Sequence, residues 1–268
     1  FLTGLAGLGA GAVFSNLEVS AQSAAGNARR LDLHHHFGSP RWVKRAAEVQ
    51  RQGFQQFQDY SPAKVIEAMD KAEVATAFLS NTTPGIWYGS DFSVERTEAI
   101  AMARDMNEYA AKMMSDHKGR FGLFAVLPLP DIDASLREIE YAFDTLKADG
   151  VGLMTNFGGI YVGDKRFEPI LAELNRRNGL VYSHPTDSPC CRNIQPGIGG
   201  GTIEWQTDTT RGILSMINEG PQNAPSAATR FPNVRFSWSH AGGTIIGLIG
   251  RFFGTVNSWQ TLSRPPEP

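Results

Sequence analysis

From Arg30 onward the chain alternates short apolar runs with longer amphipathic ones. Leu31 to His34, Val74 to Leu79, Phe121 to Leu127, Val151 to Thr155, Leu180 to His184 and Val234 to Ser239 are apolar stretches of strand length, several closed by Pro, Gly or Asn. They predict strands. Between them the apolar positions recur at helical spacing. Ser61 with Pro62 at N1 opens a helix bearing Val65, Ile66 and Met69. Ser93 caps a long helix running to about Asp116, with Gly119 just beyond. Asp131 caps another, bearing Leu136, Ile139, Ala142, Phe143 and Leu146, which Gly150 stops. Phe167 to Arg177 forms a further helix, terminated by Asn178-Gly179. Strands separated by helices predict parallel βαβ units, hence an α/β fold. A doubly wound nucleotide-binding sheet wants a glycine-rich phosphate turn after its first strand. Here that turn holds three histidines, so the pattern favours a (β/α)8 barrel.

The first residues are of different material. Phe1 to Phe14 is apolar, glycine-rich and uncharged, and too short to span a bilayer as a helix. Small residues follow, with Val19-Ser20-Ala21 as a cleavage-like site. The segment resembles the part of a twin-arginine export signal that follows its two arginines. Residues 1–29 are therefore expected to be an export leader or a packed arm, and 30–268 the folded domain. An exported or periplasmic location goes with the leader, a cytoplasmic one with the arm.

Composition narrows the partners. The chain has 268 residues, 41% of them hydrophobic, enough for one barrel-sized core. Its 25 basic and 27 acidic residues show no basic excess or stripe, which argues against nucleic acid. The two cysteines, Cys190 and Cys191, are adjacent, so neither a disulfide framework nor a cysteine metal pair is expected.

Five of the six histidines fall at strand C-termini: His34, His35, His36, His184 and His240. That is the end at which parallel barrels build their sites. Strand residues two apart point the same way, so His34 and His36 can share a ligand while His35 turns away. Neutral imidazoles on one face suit zinc or a similar divalent ion. His184 would reach the same mouth from across it. His240, followed by Ala241-Gly242-Gly243, would stand beside them, the glycines letting backbone and substrate come close.

The stretches LDLHHHF, GRFGLFAVLPLPDIDASLREIEYAFD, DGVGLMTNFGGIYVGD, SHPT and FPNVRFSWSHAGG resemble the amidohydrolase superfamily. Within it they look most like the branch of aminocarboxymuconate semialdehyde decarboxylase, and there like 6-methylsalicylate decarboxylase-type proteins. The resemblance runs from about Arg30 to the C-terminus. It implies a (β/α)8 barrel with one divalent ion, zinc or manganese, that removes CO2 without redox chemistry from an aromatic, hydroxybenzoate-like acid or an unsaturated one. By position, His34, His36 and His184 match the family's metal ligands, and His240 its histidine that handles water or protons. The family's remaining ligand is an aspartate on the last strand, and no aspartate follows His240 here. With six strands read where a barrel has eight, the chain is expected to stop before the last two βα units.

Trp87, after the second strand, and Asn156, after the fourth, are candidates for holding a planar substrate, and Arg41 or Arg96 for meeting a carboxylate. The same histidines also allow a hydrolase in which the ion activates water against an ester, lactone or amide. A non-catalytic barrel fragment is the third reading. The expected partner is a small carboxylic acid; resemblance also suggests a homodimer.

Overall fold

The computed structural model describes residues 30–48, 57–82, 85–86, 96–191, 196–218 and 224–252. Each predicted strand forms where its apolar run lies: β1 (Arg30–His36), β2 (Val74–Ser80), β3 (Phe121–Val126) and β4 (Gly150–Met154). A small hairpin of β5 (Asn156–Phe157) and β6 (Ile160–Tyr161) follows, then β7 (Leu180–His184) and β8 (Arg235–Trp238). The long strands join in one sheet of order β1-β2-β3-β4-β7-β8, with parallel registers from β2 through β8. Sheet order follows chain order, so each crossover steps to the next neighbour, as in a barrel. A doubly wound sheet reverses direction at a switch point. Among the described residues six strands take part, against the eight of a closed (β/α)8 barrel.

The crossovers carry α1 (Pro40–Glu48), α2 (Pro62–Lys71), α3 (Arg96–Asp116), α4 (Ile132–Asp144), α5 (Glu168–Arg176), α6 (Glu204–Ile217) and the short α7 (Ala227–Arg230). Two predicted caps are made: Ser61 accepts from the Lys64 amide and Asp131 from that of Ala134. Asn178 takes the positive φ that ends α5, as the Asn-Gly pair predicts. The helix α4 ends earlier than the sequence reading placed it, at Asp144, so Leu146 lies beyond it and Gly150 opens β4. Neither α1 nor α6 is legible as an apolar stripe. Ser93 and residues 1–29 lie outside the described residues.

The sheet has two unlike faces. One buries Leu79, Leu123, Ala125, Val151, Leu153 and Val181 in the same apolar core as Met102 and Met106 of α3, Ile139 of α4 and Leu171 of α5. The other carries an aromatic stack: Phe78 on Phe124 at 5.4 Å between centroids, and Phe124 on Tyr182 at 5.2 Å. His184 lies two residues beyond Tyr182 on that same face. The adjacent cysteines correct the sequence reading. The tight turn Pro189–Cys191 joins Cys190 to Cys191, with neighbouring Cα atoms only 3.8 Å apart.

Candidate metal centre

The strand ends bring four imidazoles together. His34 and His36 leave the end of β1 on one face, their rings 4.8 Å apart and their Nε2 atoms 3.0 Å apart. His184, at the end of β7, faces both, with centroids 5.3 Å from His34 and 4.6 Å from His36. One ring nitrogen from each of the three lies within 4.8 Å of the others. His240, in the turn after β8, comes within 5.1 Å of the His34 ring and 5.3 Å of His184. His35 turns away, as strand alternation predicts, toward Asp32 (Nδ1 to Oδ2 3.5 Å) and Tyr60.

Outer partners orient these rings. His184 Nδ1 stands 2.8 Å from the Pro185 carbonyl, an oxygen that can only accept. The proton therefore sits on Nδ1 and the Nε2 lone pair is left for a ligand. Ser80 Oγ bonds His36 Nδ1 at 3.3 Å, again leaving Nε2. Burial, then the neighbouring His34, holds the His36 imidazole down at about 3. Burial followed by His36 and His34 holds His184 well below its ordinary value, and burial followed by His240 lowers His34. Burial alone lowers His240. All four rings are neutral at pH 7, which is the form that ligates a metal. Three neutral donors in contact, two with the second nitrogen engaged outward, fit a divalent ion.

The backbone at His240 is special. His240 and Ala241 both have φ of +53°, in the left-handed region that non-glycine residues rarely occupy. Gly243 has φ of +68°, and a Cβ there would meet the Gln206 carbonyl at 2.0 Å. This glycine therefore serves the close seating of the turn against α6. The His240 Nε2 is buried with no hydrogen-bond partner among the described residues.

Trp205 on α6 is a site residue the sequence reading missed. Its indole lies 6.0 Å from the His184 ring and 6.1 Å from His240, and its Nε1 donates to Asp187 at 2.9 Å. Asp208, one turn further along α6, is fully buried. It accepts from the Thr155 hydroxyl, from Asn156 Nδ2 at 2.9 Å and from the Tyr161 hydroxyl at 2.7 Å.

The remaining candidates fare differently. Asn156 donates its side-chain amide to Asp208 and accepts from the Gly159 amide at its side-chain oxygen, so in this structure it holds the β5–β6 turn. Arg41 pairs with Glu98 and Arg96 with Asp131, both on helix surfaces, so neither is a free cation at the site. Trp87 lies outside the described residues. Among the described residues no helix is long and apolar enough to cross a membrane.

A family model described as Amidohydrolase matches residues 31–261. Decarboxylase yanB of Aspergillus niger is 35% identical over 249 residues, covering 89% of this chain and 65% of the relative. The 6-methylsalicylic acid decarboxylase of Penicillium expansum is 34% identical over 229 residues, covering 83% and 67%. The chain thus spans about two thirds of the length of these relatives. Among solved structures, a dihydroxybenzoic acid decarboxylase from Polaromonas sp. JS666, with manganese and 2-nitroresorcinol bound, superposes with a TM-score of 0.68. That pair is 20% identical, and the match covers 83% of this chain and 68% of the other.

Proposed function

The chain belongs to the amidohydrolase family, and from that membership we propose that it acts in a divalent-metal-dependent, non-oxidative decarboxylation of a hydroxylated aromatic acid. The observation that carries this reading is the meeting of His34, His36, His184 and His240 at the C-terminal strand ends. Relatives that are decarboxylases by name favour CO2 release over hydrolysis.

In this reading His34, His36 and His184 hold one ion, and the ion supplies Lewis acidity and a template for the substrate's oxygen atoms. Three imidazoles suit zinc, whereas the Polaromonas structure carries manganese. The chain's own residues do the rest. The flat indole of Trp205, fixed by Asp187, offers a planar ring an apolar wall next to His184 and His240. The aromatic stack ending in Tyr182 closes the floor beneath the histidines, with Tyr182 edge-on to His34 at 5.8 Å. Loss of CO2 leaves an electron pair on a ring carbon, which must take up a proton. His240 would take up a proton from solvent or from the substrate's own acidic group at Nε2, the atom with no partner among the described residues, and pass it to that carbon. The lowered pKa makes its imidazolium a strong donor once formed.

The test joins two measurements on protein purified without chelator or histidine tag. Elemental analysis should find about one equivalent of zinc or manganese per chain, by the one-site reading. With 6-methylsalicylate and dihydroxybenzoates as trial substrates, CO2 should be released and chelation should stop it. Bound metal with hydrolysis of esters and no CO2 release would sink the decarboxylase reading. The leader-like residues 1–29 support export, tested by N-terminal sequencing of protein recovered outside the cytoplasm. A homodimer is tested by sedimentation.

A further inference from the structure

Cys190 and Cys191 are joined on the turn Pro189–Cys191, which follows β7. Consecutive cysteines close an eight-membered ring, with Cα atoms at 3.8 Å, below the roughly 4.4 Å lower end for ordinary disulfides. Bridges that are constrained or exposed are the labile ones. Cys190 is exposed and Cys191 half-exposed, so small reagents reach both. The two sulfurs are not equivalent. Arg211 Nη2 donates to Cys191 Sγ at 3.6 Å, while among the described residues Cys190 Sγ meets the neutral Ser188 hydroxyl, at 3.3 Å. Among the described residues, the other charged groups at this guanidinium are Glu204 and Asp208 of α6, 3.9 and 3.8 Å from Nη1. Neither carboxylate engages Nη2, which stays with the sulfur. A guanidinium beside a thiol favours its thiolate, the form that attacks disulfides.

We propose that Cys190–Cys191 is a reversible thiol–disulfide site that exchanges with low-molecular-weight disulfides, with Cys191 as the attacking sulfur beside Arg211. In the forward direction the Cys191 thiolate attacks one sulfur of the small disulfide, breaks its S–S bond and expels one thiolate. Cys190, giving up its proton, then attacks the Cys191 sulfur of the mixed disulfide and expels the second. One small disulfide becomes two thiols, and the pair loses two protons and two electrons. Asp187, which anchors Trp205, stands three residues before Cys190 in the chain. The proposal stands on these contacts and not on the decarboxylase reading.

The experiment equilibrates the full chain in glutathione buffers of stepped thiol-to-disulfide ratio, traps free thiols by alkylation and weighs the intact protein. The expected result is a reversible passage from a doubly alkylated chain to an unalkylated one lighter by two hydrogens. Cys190→Ser should stop at a mixed disulfide with one glutathione on Cys191. In that background Arg211→Gln should slow alkylation of Cys191 about tenfold, the effect of one pKa unit on a mostly protonated thiol. Arg211→Lys, which keeps the charge, should retain most of the rate. Two alkyl groups at every ratio, oxidation only as cross-linked chains, or an unchanged rate in a folded Arg211→Gln protein would each overturn the proposal.

Discussion

At the residue scale the proposed function gives the four histidines separable tasks, and substitution can tell them apart. Replacing His34 and His184 together by Ala removes one donor from each side of the cluster. Bound metal should fall from about one equivalent to near zero by elemental analysis, since a single remaining imidazole holds an ion weakly. Metal retained in that double variant would refute the ligand assignment. His240→Ala should leave metal content unchanged and lower CO2 release by about 10²-fold or more, the usual scale for a lost proton donor. Gly243→Ala tests the turn that seats His240. A methyl group there would overlap the Gln206 carbonyl in a backbone region Ala avoids, so a loss of about 2–4 kcal/mol is expected in urea unfolding. The strand-end histidines were legible because alternation in β1 and the Ser-His-Pro and Ser-His-Ala contexts fix them locally. Trp205 was not, because nothing near it in sequence says that α6 returns to the mouth.

At the scale of elements, the strands were readable because each is an apolar run with its own stop. The hairpin β5–β6 had a signal that went unread: Gly158-Gly159, with φ of +66° and +88°, is a two-residue turn between Phe157 and Ile160. In α6 the signal is hidden. Thr209 and Thr210 are buried with hydroxyls bonded to carbonyls one turn back, and Asp208 is buried among its donors, so the inward face reads as polar. The helix α1 buries only Trp42 and Ala46, too short a stripe to stand out. A clamp between α4 and α5 gives a prediction of its own. Arg177 reaches Glu173 of α5 at 2.6 Å and Asp144, the last residue of α4, at 2.7 and 2.8 Å. Hydrogen bonds from Arg176, then from Arg177, pull the Glu173 carboxyl down to about 2 from an unfolded value near 4.5. A carboxyl depressed in the folded state adds stability that is complete above pH 4.5 and is lost as pH falls toward 2. Arg177→Met should cost about 1–2 kcal/mol at pH 7 and flatten the acid limb of stability against pH only in part over that window, because Arg176 still holds Glu173. Asp144 is exposed, so Asp144→Asn alone should cost clearly less than Arg177→Met. An unchanged acid limb in Arg177→Met would place the acid sensitivity elsewhere.

At the scale of the whole molecule, the histidines do more than share a mouth. In sheet order β1 and β8 are the two edges, with β7 beside β8. His34 and His36 sit on the first edge strand, His184 on β7, and His240 follows the other edge. An ion held by His34, His36 and His184 therefore spans four intervening crossovers and ties the start of the sheet to its far side. Without it, the contacts described between those strands on the histidine face are ring contacts, from His34 to Tyr182, His184 and His240 and from His36 to His184. An ion that binds the folded chain and not the unfolded one stabilises by mass action, about 2.7 kcal/mol at a hundred times its dissociation constant. For a chain of this size that corresponds to roughly 5–10 °C in melting temperature. Added zinc or manganese should raise the melting point of the metal-stripped protein by that amount, and chelator should reverse it. The His34→Ala/His184→Ala protein should melt at the same temperature with or without the ion. This comparison separates the specific site from general metal effects, because surface carboxylates and the cysteine pair are the same in both proteins. A wild-type melting point indifferent to either ion would show that the imidazoles do not hold a metal, and with it the argument for Lewis-acid chemistry at the strand ends would fall.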